Sequence, residues 1–499
     1  MSDIRLDEIA PKGKLNAALF VKFLLSDSMD HFKTPTHSKG GDITWRFDED
    51  RGIWTDDGTA WLEKQLSNTM GLKIKRRYFG EVLKLFQVKT YCPPSEFTED
   101  PGSVVLANGE LELATCTLAS YEATHYHLNT LPIRYDPNAA CPNFTKFLTE
   151  ILPGQETLIQ EMVGYCLLKA YPIQKAFVLQ GAGANGKSTL LNVIAAFLGT
   201  DSVSSESLFS LTTNRFSPAQ LYGRLANLAP DIGADELKRT GVLKSLTGGD
   251  TLRAERKNQH PFTFRNYAKL IFSCNQLPAS PDNSDAFFRR FQIIQFANVF
   301  PDKTADKHIL DRLTTPEELS GILNWALIGL ARLLEQGCLT NTQTTEQIKQ
   351  LYTEMSDPIQ AFLTEAVEED VDAYVVKDEL YRTYAEFCRQ RGHIATNPTK
   401  FYQALRGRLT VVETQLTINK TRTRIMKGIK TLTPARPARP ARGFLIAVNQ
   451  FQENIRQVET PVQPVQPVQA SNINDNSGRG QVAVGGLIHG KSLDVVRRL

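Results

Sequence analysis

The sequence predicts an α/β fold, with a mostly parallel sheet covered by helices on both faces. Three observations carry this expectation. Short apolar runs recur at Ala176–Gln180, Arg224–Ala229, Ala268–Ser273 and Phe291–Phe296. Stretches with helical spacing lie between them, which is the signature of strands joined by helical crossovers. A glycine-rich turn links the first run directly to an apolar helix, STLLNVIAAFLG.

The chain has 499 residues, too many for one compact core. Hydrophobic residues make up 41% and charged residues 22%, the composition of an ordinary globular protein. Net charge is only +3, so a nucleic-acid surface has to come from local clustering of cations. Seven cysteines are scattered without a C-x-x-C pair. That argues against a zinc ribbon and a disulfide framework and fits a reducing compartment. The apolar runs are too short to span a bilayer, and MSDIRLDEIAPKGK lacks the apolar centre of a signal peptide. A cytoplasmic protein with no membrane partner is expected.

Residues 1–13 read as a leader and 14–150 as a mixed α/β region. In the latter, Ala17–Leu25 and Ala60–Met70 have helical spacing, and Ile43–Phe47 and Gly52–Trp54 resemble short strands. The acids between and after them, Asp48, Glu49, Asp50, Asp56 and Asp57, read as a charged turn rather than a metal site. After a turn at Tyr135, Asp136 and Pro137, helices are expected at Asn143–Leu152 and Gln155–Leu168. Residues 151–300 form the α/β core, and 301–356 are mainly helical, including Leu319–Gln336. In 357–448, helices at Ile359–Glu368, Lys377–Arg391 and Pro398–Leu409 precede strands at Val411–Ile418 and Gly443–Val448. Helices followed by a hairpin suggest a winged helix, here with the PAR repeat of Pro434–Arg442 inserted in the hairpin. The PVQ repeat at Pro461–Gln469 marks 449–499 as a disordered tail.

The turn GAGANGKS, Gly181–Ser188, matches G-x-x-x-x-G-K-[ST] with a strand before it and a helix after it. Such a loop curls so that backbone N–H groups face phosphate oxygens, and the helix N-terminus adds partial positive charge. Gly181, Ala182, Gly183, Ala184, Asn185, Gly186, Lys187, Ser188 and Thr189 are therefore expected to hold ATP. Lys187 would reach the β- and γ-phosphates, and Ser188 would hold Mg²⁺. The run RLANLAPD ends on Asp231, the expected metal-coordinating or water-polarising carboxylate. Asp235 and Glu236 are the alternatives.

Eight ordered blocks add a resemblance. They are ANGELELAT (107–115), YDPNAACPNFTKFL (135–148), LIQEMVGYCL (158–167), GAGANGKSTLL (181–191), QLYGRLANLAPDI (220–232), LKSLTGGDTLRAERKNQHPFTF (243–264), KLIFSCNQLP (269–278) and SDAFFRRFQIIQF (284–296). Together they resemble the phage/plasmid primase–helicase family, relatives of the poxvirus-type primase-helicase within superfamily 3. The resemblance implies an AAA+-like motor with a helicase-associated N-terminal domain and a winged-helix end, assembled as a hexameric ring. It makes Asn275 the polar sensor facing the γ-phosphate. It makes Arg289 or Arg290 the arginine that enters a neighbouring subunit's nucleotide site. It makes Arg253–Phe264, with Arg253, Arg256, Lys257 and His260, a hairpin that grips single-stranded DNA. Many relatives carry a separate primase module upstream. This sequence shows no equivalent, so primase activity is not expected from it, and a separate primase or replication protein is a candidate partner.

Between Thr414 and Gln452 there is no acidic residue, whereas Lys420, Arg422, Arg424, Lys427, Lys430, Arg436, Arg439 and Arg442 fall there. Cations of this density suit a phosphate backbone. The function expected is ATP-driven unwinding of single-stranded and forked DNA during replication of a phage, plasmid or integrated element. The rival readings are a packaging or loading motor without unwinding and a non-catalytic origin-binding protein.

Overall fold

The computed structural model describes residues 6–11, 14–26, 28–35, 43–71, 75–181, 183–230, 232, 239–257, 261–275, 277–278, 280, 282–300, 306, 308–390, 395–418 and 421–432. Ala182, Asp231, Asp235, Glu236, His260, Lys420, Gly443–Val448 and both proline repeats lie outside the described residues. The chain divides into two compact units, one built mainly from Met1–Pro358 and one beginning at Ile359.

The first unit opens with strands β1 (Phe32–Pro35), β2 (Trp45–Asp48), β3 (Ile53–Thr55) and β4 (Tyr91–Cys92), in the order β3-β2-β1-β4. Helices Ala17–Leu25, Gly58–Met70 and Arg76–Lys89 supply Phe20, Leu62, Leu66, Val82 and Phe86 to their common core. A second sheet follows: β5 (Ser103–Leu106), β6 (Gly109–Glu112), β7 (Thr117–Ala119) and β8 (Thr130–Leu131), ordered β7-β6-β5-β8. The sequence reading missed this sheet and the helix Arg76–Lys89. Strands this short show no usable alternation, and β5 is buried along its whole length.

The larger sheet uses β9 (Ala176–Gln180), β10 (Val203–Ser204) and β11 (Ala226–Ala229). After a hairpin, β12 (Thr251–Ala254) and β13 (Phe262–Arg265), it adds β14 (Lys269–Cys274) and β15 (Phe291–Gln295). Its order is β10-β11-β14-β9-β15, and every pairing is parallel. Alternate side chains of one strand enter different cores. Phe177 and Leu179 pack with helices Lys187–Leu198 and Pro316–Gln336 on one face. Ala176 and Val178 pack with Leu243, Leu246, Tyr352 and Met355 on the other. Both faces are therefore covered, which is why the strands read as continuous apolar runs.

The second unit runs helix Pro358–Ala366, β16 (Val367–Val376), helices Lys377–Gln390 and Pro398–Arg408, then β17 (Val412–Ile418) and β18 (Thr421–Thr431). The strands form an antiparallel sheet ordered β16-β18-β17. Phe362, Tyr384, Phe401, Leu405, Ile425, Met426 and Ile429 are buried in this unit, and Tyr384 stacks on Phe401 at 4.4 Å. Two expectations are corrected here. The first helix stops at Ala366, and the acidic run after it is a strand that pairs Glu368 and Asp370 with Lys430, at 3.1 and 3.5 Å. The partner of β17 is Thr421–Thr431 rather than Gly443–Val448, so the PAR repeat does not lie between β17 and its partner. Arg422, Arg424 and Lys427 hide β18 from a hydrophobicity reading, because they occupy exposed positions around Ile425, Met426 and Ile429.

No described helix is long and apolar enough to cross a membrane.

Candidate functional site

The glycine-rich loop leaves the carboxyl end of β9 in the middle of the parallel sheet. Gly181 is wedged there: a Cβ on it would lie 2.1 Å from Asn185 Nδ2 and 2.9 Å from the Phe296 carbonyl oxygen. Its own N–H donates to the Cys274 carbonyl on neighbouring β14. The turn back into the helix needs left-handed backbone at Ala184 and at Gly186, with φ of 48° and 84°. At Gly186 a Cβ would also strike Ile151 Cγ2 at 2.7 Å. The helix Lys187–Leu198 then starts with no side-chain cap, so its first N–H groups are not taken up by a capping side chain.

Lys187 is buried, and burial pushes its pKa below the ordinary lysine value. Its Nζ donates to the Gly181 carbonyl at 2.7 Å and to Asn185 Oδ1 at 3.0 Å. Asn185 Nδ2 is buried with no hydrogen-bond partner among the described residues. An ammonium folded onto its own loop beside an unpaired amide donor has the chemistry to receive an anion. Ser188 is exposed and Thr189 half-buried at the helix start. Asn275 follows β14 directly, is exposed, and accepts at its backbone oxygen from Gln180 Nε2 at 3.5 Å. The fold thus sets Asn275 beside the root of the loop, at the same sheet edge.

Arg289 and Arg290 end the short helix Asp285–Phe288 and precede β15. The structure separates them. Arg289 is exposed, whereas Arg290 is buried at 8% exposure. Arg290 Nη1 donates to Thr247 Oγ1 at 3.4 Å, and its Nε has no partner among the described residues. Burial, and then the neighbouring Arg289 charge, lower its pKa.

The hairpin β12–β13 lies between β11 and β14 in the chain. Arg253 and Lys257 are exposed on it. Arg256 is half-buried and turned inward: its guanidinium lies 5.4 Å from the Phe262 ring centroid, 5.9 Å from that of Tyr222 and 3.8 Å from Asp56 Oδ2. In the charged turn, Asp57 accepts from Nε and Nη2 of Arg46, at 3.2 and 3.0 Å. Arg422 and Arg424 are exposed on β18 of the second unit.

One buried polar cluster escaped the sequence reading. Ligand-type atoms of Asp100, Glu110, His125 and His127 lie within 4.8 Å of one another. Glu110 Oε1 receives His125 Nδ1 at 2.7 Å, His127 Nε2 at 2.8 Å and Ser103 Oγ at 2.5 Å. Burial raises the Glu110 pKa, but the His127, Ser103 and His125 contacts outweigh it and hold it at about 2. His127 Nδ1 meets the Lys169 ammonium, and Lys169 pairs with Glu99 at 3.1 Å. Glu99 in turn accepts from the Tyr267 hydroxyl. A lysine at Nδ1 makes that nitrogen the acceptor, so Nε2 carries the proton and donates to Glu110. A metal at Nε2 would move this proton to Nδ1, against the ammonium. The donor set therefore does not fit a metal. It ties the N-terminal sheets to the segments that precede β9 and β14. The only sequence signal was the alternation His125-Tyr126-His127, because its partners are remote in the chain.

Three families match in order along the chain. Residues 29–153 match the family described as D5 N terminal like, residues 179–290 a family of unknown function (DUF5906), and residues 354–431 the Poxvirus D5 protein-like family. "Putative helicase L207/L206" of Acanthamoeba polyphaga mimivirus is 30% identical over 32% of this chain and 17% of its own length. "Putative helicase 121R" of Invertebrate iridescent virus 3 is 28% identical over 40% of this chain and 23% of its own length. This chain thus covers under a quarter of these relatives. Among solved structures, the apo NrS-1 C terminal region (305-718) is 14% identical, with 83% of this chain and 99% of that chain covered at a TM-score of 0.42. Segments on either side of the DUF5906 match are thus similar to D5-type families, and these relatives are named putative helicases.

Proposed function

We propose that this chain is the ATP-driven motor of a superfamily 3 DNA helicase that acts in replication. The observation that carries the reading is the placement of the glycine-rich loop. It sits at the carboxyl end of β9, which lies between β14 and β15 in an all-parallel sheet, with Asn275 directly after the adjacent strand β14. That strand order and loop position suit an AAA+-like core. Lys187 would swing from Gly181 and Asn185 to the β- and γ-phosphates, and Asn185 Nδ2 would find its acceptor there. Mg²⁺ would be held by Ser188 and by Asp231 just beyond β11. Asn275 would orient the attacking water.

Arg289 is the better candidate for an arginine acting across a subunit boundary, because Arg290 is committed inside its own subunit. Such an arginine requires a ring, a hexamer in this reading. Arg253, Lys257 and His260 would present cations to a single strand in the channel. The second unit's order, helix–strand–helix–helix–strand–strand, suits a winged helix with Arg422 and Arg424 on the wing.

The test is unwinding of a forked duplex by the full chain, with and without ATP. Strand separation that requires ATP and is lost in Lys187→Ala is expected. ATP turnover without separation would favour a packaging or loading motor, and no turnover would reduce the chain to a DNA-binding protein.

A further inference from the structure

A second cleft, remote in sequence from the glycine-rich loop, lies within the first unit between the β2–β3 turn, the segment before β8, and the entry to β11. Its volume is about 190 Å³. Three guanidinium groups line it, those of Arg51, Arg224 and Arg256. Two of them are held by carboxylates at the rim: Arg51 by Asp201 at 3.3 Å and Arg256 by Asp56 at 3.8 Å. Those carboxylates are 81% and 59% exposed, so both pairs are long, solvated and weak. A phosphate offers a guanidinium more charge and a better-matched fork of oxygens, and can displace either one.

A separate feature points to the rest of a ligand. Asn129 lines the same cleft and is 2% exposed. Its Nδ2 donates to the Tyr267 hydroxyl at 3.1 Å and to the Gly223 carbonyl at 3.5 Å. Its Oδ1 is buried with no hydrogen-bond partner among the described residues. An unsatisfied buried acceptor is costly, and an amino group removes the cost. Trp45 and Tyr222 add aromatic surface to the wall, with ring centroids 6.5 Å apart.

We propose that this cleft is a second nucleotide site, which takes one phosphorylated base of a single strand or a free nucleotide. Arg51 and Arg256 receive the phosphate in place of Asp201 and Asp56. Asn129 Oδ1 accepts from an exocyclic amino group, which cytosine, adenine and guanine have and thymine lacks. Trp45 and Tyr222 supply the surface against which the base lies. Arg256 belongs to the segment that joins β12 to β13, so an occupied cleft touches the turn of the proposed DNA-gripping hairpin. Only that last link rests on the helicase reading.

The test uses the full chain carrying Lys187→Ala, so that the glycine-rich loop is silent. The probes are dCMP, dTMP, oligodeoxycytidylate and oligothymidylate, with ultraviolet cross-links mapped by mass spectrometry. Cross-links to Trp45 or Tyr222 are expected. Arg51→Ala should weaken the cross-linked complex about tenfold. Asp201→Asn should strengthen it, because the competing carboxylate is gone. Cytidine probes should bind more tightly than thymidine probes. Capture of dCMP identifies a free nucleotide as the ligand, and capture of the oligomer alone identifies a strand. The proposal is overturned if no probe cross-links in the cleft, if Asp201→Asn weakens binding as Arg51→Ala does, or if cytidine and thymidine probes bind equally. ATP turnover by the chain with Lys187 intact is measured in parallel. Its absence removes the motor reading and leaves the cleft result standing.

Discussion

The glycine-rich loop and the Glu110 cluster are both buried polar groups in the same unit, and they differ in how completely they are satisfied. In the cluster, Glu110, His127, Lys169 and Glu99 hand hydrogen bonds along a chain, and none is left with an unpaired buried atom among the described residues. In the loop, Asn185 Nδ2 has no partner and Lys187 leans on its own backbone. A buried polar group with all its partners contributes architecture. In the proposed reading, the missing partner of Asn185, on a glycine-rich turn at the carboxyl end of a parallel strand, is supplied by a phosphate. Composition would not have ranked them this way, since the cluster holds more of the residue types associated with metals and catalysis.

That contrast can be broken by mutation. Lys187→Ala should cut ATP turnover by on the order of 10²–10³, while the denaturation midpoint stays close to that of the parent. Lys169→Met should do the reverse. It breaks a pair whose lysine side chain is 1% exposed, which should cost roughly 3–5 kcal/mol in chemical denaturation. Nucleotide binding at temperatures where the variant is folded should survive. If Lys169→Met were neutral for stability, the cluster would not be the architectural element described.

Arg289 and Arg290 sharpen the same comparison between neighbours in sequence. Arg289→Ala should remove turnover without changing stability, and mixing it with Lys187→Ala should restore part of the activity. Arg290→Ala should lower stability, by roughly 1–3 kcal/mol for the lost buried contacts. Equal behaviour of the two in both assays would remove the distinction.

Proton linkage separates the two regions again. His127 is held below its ordinary pKa of 6.5 by burial and by Lys169, so the unfolded chain takes up a proton there that the folded chain refuses. Stability is therefore lost as pH falls below about 6.5. Glu110, with its pKa lowered from 4.5 to about 2, contributes stability that is complete above 4.5 and is lost as pH falls towards 2. The thermal midpoint should fall with acid in two stages, and Glu110→Gln should flatten the lower one. A midpoint constant down to about pH 5 would contradict the His127 assignment. The smallest expected effect is on DNA affinity. Arg422→Ala with Arg424→Ala should make the logarithmic salt dependence of binding shallower by about two. An unchanged slope would take β18 out of the interface.

What was legible in the sequence follows from locality. Strand, GAGANGKS and helix are contiguous, so the loop and its flanks could be read together, as could the apolar runs of β9, β11, β14 and β15. β18 was not legible, because Arg422, Arg424 and Lys427 mask its apolar residues. β16 was hidden by Glu368, Glu369, Asp370 and Asp372, whose strand character depends in part on the basic strand beside it. The Glu110 cluster joins residues more than forty positions apart, as His127 to Lys169, and only the fold brings them into contact. Arg289 and Arg290 are adjacent, and no sequence argument could say which one turns inward.

The central proposal is that the loop holds the phosphates of ATP, and thermal unfolding of the full chain tests it directly. MgATP at about 100 times its dissociation constant should stabilise the parent by about 2.7 kcal/mol and raise its midpoint. In Lys187→Ala the shift should disappear while the ligand-free midpoint is retained. A parent midpoint indifferent to MgATP, or a shift that persists in Lys187→Ala, would contradict the account.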